Sequence, residues 1–276
     1  MRKQTASGQG YEPLVTPAEW KGDELRFSVR LTQILDSIFA RLRTLKTSTA
    51  VNSAKLGGRP PEYYLPLENL LHNSYFPEAV NQRGKSSYTG KAQYTIDRWK
   101  TTNANTTVDV LEDGIRLTNA AAGGGGYLQQ TLENPSKWLG KTFTLAAMQT
   151  NGTLTVASAK LPGAFPSAIT QYATLTDNGV TVGAIQVSTN SVWVRLWSNP
   201  NETTRSFRWA MLCEGEYTKD MLLYRRKPDE LADCMRHFQI RSTKDVPFSD
   251  LRPPMFAPPH TVSQMEDGNW SYSCDL

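Results

Sequence analysis

The segment Val192-Trp193-Val194-Arg195-Leu196-Trp197 has the residue types and spacing best suited to recognising a ligand. In a strand, alternate side chains face opposite ways, so Val192, Val194 and Leu196 share one face, suited to a core. Trp193, Arg195 and Trp197 share the other. Two indoles around a guanidinium form a platform that can stack on a sugar ring and hydrogen-bond its hydroxyls. Aromatics and Arg are also enriched at protein interfaces. Cover by the stretch 119–137 or by a neighbouring subunit is the more ordinary fate of such a face, and ranks ahead of ligand binding. Trp99, Trp138, Trp209 and Trp270 read as core or interface aromatics.

Patterns for catalysis are missing from the sequence. There is no G-x-S-x-G elbow. HExxH and P-loop patterns are also absent. Gly123 to Gly126 form a glycine run with no Lys-Ser/Thr and no helix start behind it, so it reads as a flexible loop and not a phosphate cradle. Glycosidase carboxylates must face each other roughly 5–10 Å apart. Glu112-Asp113 precede Gly114 and read as a hairpin turn, and Glu214 and Glu216 flank Gly215 in a loop. Cys213, Cys234 and Cys274 contain no CxxC pair, and His72, His237 and His260 are scattered, so no zinc site is expected. The cysteines read as buried, reduced thiols, which fits synthesis in a cytoplasm. The expectation is a non-enzyme with no cofactor and no metal.

The elements that must hold Trp193 and Arg195 are strands. Thr106 to Leu111 and Gly114 to Leu117 read as a hairpin joined by Glu112-Asp113, and Tyr94 to Trp99 as an earlier strand. Lys141 to Ala147, Gly152 to Ser158, Thr170 to Thr176, Gly179 to Val187, Val192 to Trp197 and Phe207 to Leu212 continue the rhythm. Turn signals recur between them at Asn151-Gly152, Pro162-Gly163 and Asn178-Gly179. Many short strands with regular turns predict a mainly β chain with a sandwich or jelly-roll head. Pro228 to Ile240 reads as a helix with Leu231, Cys234, Met235 and Phe238 on one face. The end, with Trp270 and Tyr272 alternating with polar groups, reads as a terminal strand.

Ahead of this head the pattern is helical. Residues 1–19 read as an extended arm, and Thr16-Pro17-Ala18-Glu19 as a helix start. Leu31, Leu35, Ile38, Leu42 and Leu45 follow the spacings of a heptad, with Leu35 and Leu42 at a and Leu31, Ile38 and Leu45 at d. Ile34 and Phe39 widen the stripe. A polar stretch, Thr47 to Lys55, follows, and not a second helix to cover it. A helix this short is marginal in water unless its apolar face packs on something. The alternative is an amphipathic helix docked on its own domain. The expectation is a coiled coil, and Leu at a with Ile at d points to a homotrimer. Four parts result: 1–53 arm and oligomerising helix, 54–68 linker, 69–226 sandwich, and 227–276 helix and terminal strand.

Net charge is +4 with 20% charged residues. No basic stripe with interleaved aromatics is present, so nucleic acid is not an expected partner. No apolar run approaches the roughly 18 residues a membrane helix needs, and residues Met1 to Gly10 lack the apolar core of a signal peptide.

Four stretches resemble phage and prophage tail-fibre or receptor-binding proteins that carry a carbohydrate-binding-module-like jelly roll. One is Ala54-Lys55-Leu56-Gly57-Gly58 through Tyr63-Tyr64, similar to a linker motif of tail proteins. Another is Asn69 to Phe76 with Val80 to Gly84 and Tyr94 to Trp99, similar to the opening of that jelly roll. The third is Trp209 to Gly215 with Tyr217-Thr218, Glu230-Leu231, Cys234, Arg236 and Phe238; the fourth is Gly268 to Leu276. Together they bracket roughly three quarters of the chain. Where the family pattern has Cys-Gln-Arg-Tyr, this chain has Cys234-Met235-Arg236-His237. The resemblance implies a virion component, made in the host cytoplasm, that assembles as a trimer and meets other tail or baseplate proteins through its N-terminal region. It implies attachment to a bacterial surface glycan, a collar, head-fibre or adaptor role without a ligand, or, more remotely, a carbohydrate-active enzyme. Fold alone does not choose among these.

Overall fold

The computed structural model describes residues 2–4, 11–13, 31, 33–41, 67–119, 126–198, 204–224 and 229–274. The chain divides into two compact units, Met1–Pro66 and Leu67–Leu276. Their boundary falls inside the stretch read as linker.

In the first unit, β1 (Arg2–Gln4) pairs antiparallel with β2 (Tyr11–Pro13), Lys3 opposite Glu12. The stretch expected to be a plain extended arm thus carries a short ladder. Residues 31 and 33–41 are helical (α1). Leu31, Leu35 and Phe39 are 44%, 43% and 55% exposed on it, and Ile34 and Ile38 are half-buried. Leu42, Leu45, the Thr16–Glu19 helix start and the linker motif through Leu65 lie outside the described residues.

The second unit is mainly β and is built from antiparallel sheets. One holds β10 (Thr170–Asp177), β11 (Val180–Val187), β12 (Val192–Ser198), β7 (Gly126–Thr131) and β4 (Lys100–Thr101), in that order. The other runs β3 (Ser87–Thr89), β5 (Thr106–Leu111), β6 (Gly114–Asn119), β13 (Thr204–Glu214), β8 (Thr142–Gln149), β9 (Leu154–Lys160). Val108, Leu117, Phe143, Leu145, Phe207 and Leu212 from the six-stranded sheet join Leu128, Leu175, Ile185, Val194 and Leu196 from the five-stranded sheet in one buried cluster. Side chains from the inner faces of two sheets make a β-sandwich core of this kind, and each Leu, Val or Phe buried in it contributes about 1.5–3 kcal/mol.

The six-stranded sheet is covered on its other face too. Ala146, Trp209, Met211 and Cys213 form a second cluster there, packed by Leu67, Tyr75, Tyr217 and Tyr224. A strand buried on both faces needs apolar residues at every position, which is why Trp209-Ala210-Met211-Leu212-Cys213 has no alternation. The turn between β5 and β6 needs Gly114, because a Cβ there would collide with the Phe207 carbonyl.

Two expectations are corrected. Tyr94 to Trp99 is a buried turn and not a strand: Trp99 N donates to the Ile96 carbonyl at 3.1 Å, and Arg98 has φ 74°. Its alternation mimics a strand because Trp99 is fully buried, with its indole N–H on the Asn73 carbonyl at 2.9 Å. The helix expected over 228–240 is only α2 (Glu230–Met235). The chain then turns into β14 (Phe238–Arg241), which pairs with β16 (Trp270–Ser273), and β16 pairs with β15 (Thr261–Gln264). Phe238 is a strand residue, and Leu231 is 53% exposed instead of facing a core. The terminal ladder overrides the helical spacing.

This three-stranded sheet has its own small core of Leu251, Met255, Tyr272 and Cys274. Charges tie it to the sandwich. His237 Nε2 lies 2.8 Å from Glu133 Oε1, and an ionised carboxylate only accepts, so Nε2 carries the proton. Arg98 and Arg236 approach the same carboxylate at 3.5 and 4.0 Å. His72 Nδ1 meets Asp233 at 3.1 Å, and Arg83 bonds Asp97 at 2.6 Å while lying 3.9 Å over the Phe238 ring.

Burial alone would raise the Glu133 carboxyl. The His237 hydrogen bond and the charges of Arg98, His237 and Arg236 outweigh it and hold the group at about 2, below its ordinary 4.5. A depressed carboxyl stabilises the fold above its unfolded value and loses that contribution as pH falls through its folded value. Glu133→Gln is therefore expected to lower the unfolding free energy at pH 7 by about 2–3 kcal/mol. Urea denaturation along a pH series checks this: the gap between wild type and variant narrows below pH 4.5 and closes toward pH 2.

Candidate functional site

β12 is held between β7 and β11, and its register decides which side chains meet. On β7, Thr131, Gln129 and Tyr127 lie opposite Trp193, Arg195 and Trp197. On β11, Gln186 and Ala184 lie opposite Trp193 and Arg195. One strand further, Lys100 lies opposite Gln129. Paired residues share a face, so the side of the five-stranded sheet away from Val194 and Leu196 carries rings, amides and two cations. Of the stretch 119–137, expected as a possible cover, β7 lies beside β12 and contributes to the same face.

Arg195 is the centre of this face. Its Nε donates to Gln129 Oε1 at 2.7 Å and its Nη1 to Gln186 Oε1 at 2.6 Å. Both glutamines are 4% exposed. Gln129 Nε2 donates to Thr131 Oγ1 at 3.4 Å, which turns the amide so that its oxygen faces the guanidinium. The guanidinium carbon lies 4.7 Å from the Trp193 ring centre and 5.3 Å from that of Tyr127. Cations are drawn to ring faces at these distances. Burial pulls the Arg195 pKa below its ordinary value, with the Tyr127 charge acting the other way.

Trp193, Tyr127 and Arg195 are half-buried and present surface to solvent. Trp197 is only 6% exposed and packs edge-on to Tyr127 at 5.4 Å. The expected pair of indoles around a guanidinium is thus corrected. Trp197 braces Tyr127 from behind, and Tyr127 takes the place on the surface that Trp197 was expected to fill. Nothing in the sequence between Gly123 and Thr131 marks Tyr127, because β7 carries two glutamines at its centre and lacks the alternation of a strand.

A second concentration of charge lines a cleft of about 190 Å³ that includes His72, Arg98, Glu133, Lys137, Trp138 and Arg236. Its arginines already serve Glu133, so its chemistry is consumed in fastening the C-terminal sheet. The carboxylates weighed for sugar hydrolysis are on the surface: Glu112 and Asp113 in the β5–β6 turn, Glu216 in a loop, and Glu214 on Lys141 at 2.9 Å. Among the described residues, no group of three or more His, Cys, Asp or Glu is placed to hold a metal. Cys213, Cys234 and Cys274 are buried and form no disulfide with one another, and burial pushes the Cys213 thiol up to about 12.

The two tryptophans of β12 should separate in a stability measurement. Trp197→Ala opens a cavity in a packed site and is expected to cost about 3–5 kcal/mol. Trp193→Ala removes a half-exposed ring and is expected to cost about 1 kcal/mol. Urea denaturation of both variants checks the order, and equal losses would mean that Trp193 is a core residue.

In comparison with known proteins, no family model matches the chain, no curated protein matches it, and no solved structure matches its fold.

Proposed function

We propose that this chain is a virion attachment protein of the phage tail-fibre or receptor-binding type. In this reading its sandwich is a jelly-roll head that holds a bacterial surface glycan on the Trp193–Arg195 face. The observation that carries it is the half-exposed cluster of Trp193, Tyr127 and Arg195, fixed from below by Gln129 and Gln186. A ring face and a fixed planar donor side by side suit a sugar, which offers an apolar face and a rim of hydroxyls. A glycosidase is less well supported: the strand positions paired around Arg195 hold no Asp or Glu, where hydrolysis needs two facing carboxylates.

Assembly is the other half of the reading. Leu31 and Leu35 stand exposed on α1 with Ile38 half-buried. We take this stripe, continued by Leu42 and Leu45 in sequence, as the seam of a trimeric coiled coil, with the N-terminal region also meeting other tail or baseplate proteins. The rival is a structural adaptor or collar fibre with no ligand. The burial of Trp197 and the internal hydrogen bonds of Arg195 favour it, since both spend ligand-type groups inside the fold.

Light scattering on the full chain and on a truncation beginning at Ala54 tests assembly. The expected result is a trimer that falls to a monomer on truncation. Two monomers would make α1 a docked amphipathic helix and move the adaptor reading ahead. Trp193→Ala is expected to lower binding to a panel of bacterial cells at least tenfold in a folded protein. Unchanged cell binding would remove the glycan role from this face.

A further inference from the structure

Among the described residues the buried arginines Arg98 and Arg205 each face a carboxylate, as does the half-buried Arg83. Arg83 has Asp97 at 2.6 Å, Arg98 has Glu133 at 3.5 Å, and Arg205 has Asp177 at 3.1 Å. Withdrawing a cation from water is costly unless an opposite charge or strong hydrogen bonds replace the water. Arg195 is half-buried, and among the described residues its guanidinium meets two neutral amide oxygens and two rings. No carboxylate among the described residues pairs with it.

Its geometry is that of a fixed fork. A guanidinium has five N–H donors in one plane. Gln129 takes the Nε donor and Gln186 one on Nη1. The second Nη1 donor and both on Nη2 have no acceptor among the described residues. Buried amides fix the plane, so little freedom is lost when a second group binds. Two parallel N–H groups, one from each terminal nitrogen, match two oxygens of a carboxylate or phosphate. The surroundings have the same sign. Lys100 lies on the same cross-strand row, two strands and so about 10 Å from Arg195. The paired positions Tyr127, Gln129, Thr131, Ala184, Gln186 and Trp193 bear no negative charge.

We propose that this face takes an acidic glycan, with a carboxylate or phosphate of the polymer held on the terminal nitrogens of Arg195 and a sugar ring against Trp193. The proposal rests on the attachment reading above and narrows its ligand class. Neutral sugars can offer this fork hydroxyl oxygens but no charge, and a hydrogen bond to a charged group strengthens binding roughly tenfold more than a neutral one does.

The test uses the full chain and three immobilised polymers: polygalacturonate, the galactan made from it by carboxyl reduction, and a ribitol-phosphate teichoic acid. Binding to bacterial cells is measured beside them. Retention of polygalacturonate or of teichoic acid, with the reduced galactan at least tenfold weaker, is the expected result. Which of the two is retained tells carboxylate from phosphate. Arg195→Gln is expected to erase the difference between acid and reduced polymer, and Arg195→Lys to restore only part of it, because a point charge lacks the fork. Should Arg195→Gln fail to fold, the wild-type comparison of acid with reduced polymer still decides. Binding of the reduced galactan as strong as that of both acidic polymers overturns the acidic assignment and leaves glycan attachment standing. Cell binding without retention of either acidic polymer also overturns the acidic assignment. Loss of cell binding as well sinks the attachment reading itself. Retention undiminished in Arg195→Gln puts the anion elsewhere on the protein and overturns the assignment to this face.

Discussion

The structure of the second unit depends on one constraint: two sheets must bury their inner faces against each other, and a strand offers each face only every second residue. Val192, Val194 and Leu196 are fully buried in that core. Once they point inward, Trp193, Arg195 and Trp197 have no choice but the outer side. A register slip of one residue would drive a guanidinium into the core, a cost far above that of any local rearrangement. The same constraint aligns β7, placing Leu128 inside and Tyr127 and Gln129 outside, beside the partners they meet. The candidate site is thus a by-product of core formation, and its precision comes from the ladder hydrogen bonds behind it.

Fastening the C-terminal sheet uses a different kind of force. Its own core is four buried residues, too small to hold a free-standing three-stranded sheet in place. The shortfall is made up by ionic and stacked contacts: Glu133 with His237, Arg98 and Arg236, Asp233 with His72, and Arg83 against Phe238. Such contacts are directional, and they leave the sheet with one orientation. Arg98 has a left-handed backbone and brings its guanidinium to 3.5 Å from Glu133, so that strain is held where a buried charge finds its counter-charge.

Local patterns in the sequence revealed local structure. The β5–β6 hairpin was legible because alternating Thr106 to Leu111 and Gly114 to Leu117 flank Glu-Asp-Gly, where only glycine fits. The strands from Lys141 to Leu212 were legible for the same reason. What was missed depends on distance. Gln129 and Gln130 sit in the middle of β7, where polar residues argue against a strand, yet each has a distant partner. Gln130 accepts from His72 N and donates to His72 O, 58 residues away, and Gln129 serves Arg195, 66 away. Glu133 and His237 are 104 residues apart. No periodicity encodes such a pair. Phe238 and Ile240 fitted a helix until β16 offered a ladder, and Trp99 fitted a strand until Asn73 offered a carbonyl. Residue type and spacing point to Trp193 and Arg195 but not to Tyr127.

The size of the exposed site bears on how attachment would work. One indole face and one fork are a small contact, and an interaction of about 4 kcal/mol corresponds only to millimolar binding. That is too weak for a single chain to hold a cell. On the proposed reading, three copies on one stem would turn later contacts into intramolecular ones and raise the overall affinity by about 10²–10⁴ without any new residue. Under that arithmetic a strong individual site would be a disadvantage, since a particle must release wrong surfaces while it searches. A cation held by two neutral amides, preorganised but small, fits such a requirement better than a deep enclosed pocket would. On the proposed reading the stem would supply the valency that so small a face lacks.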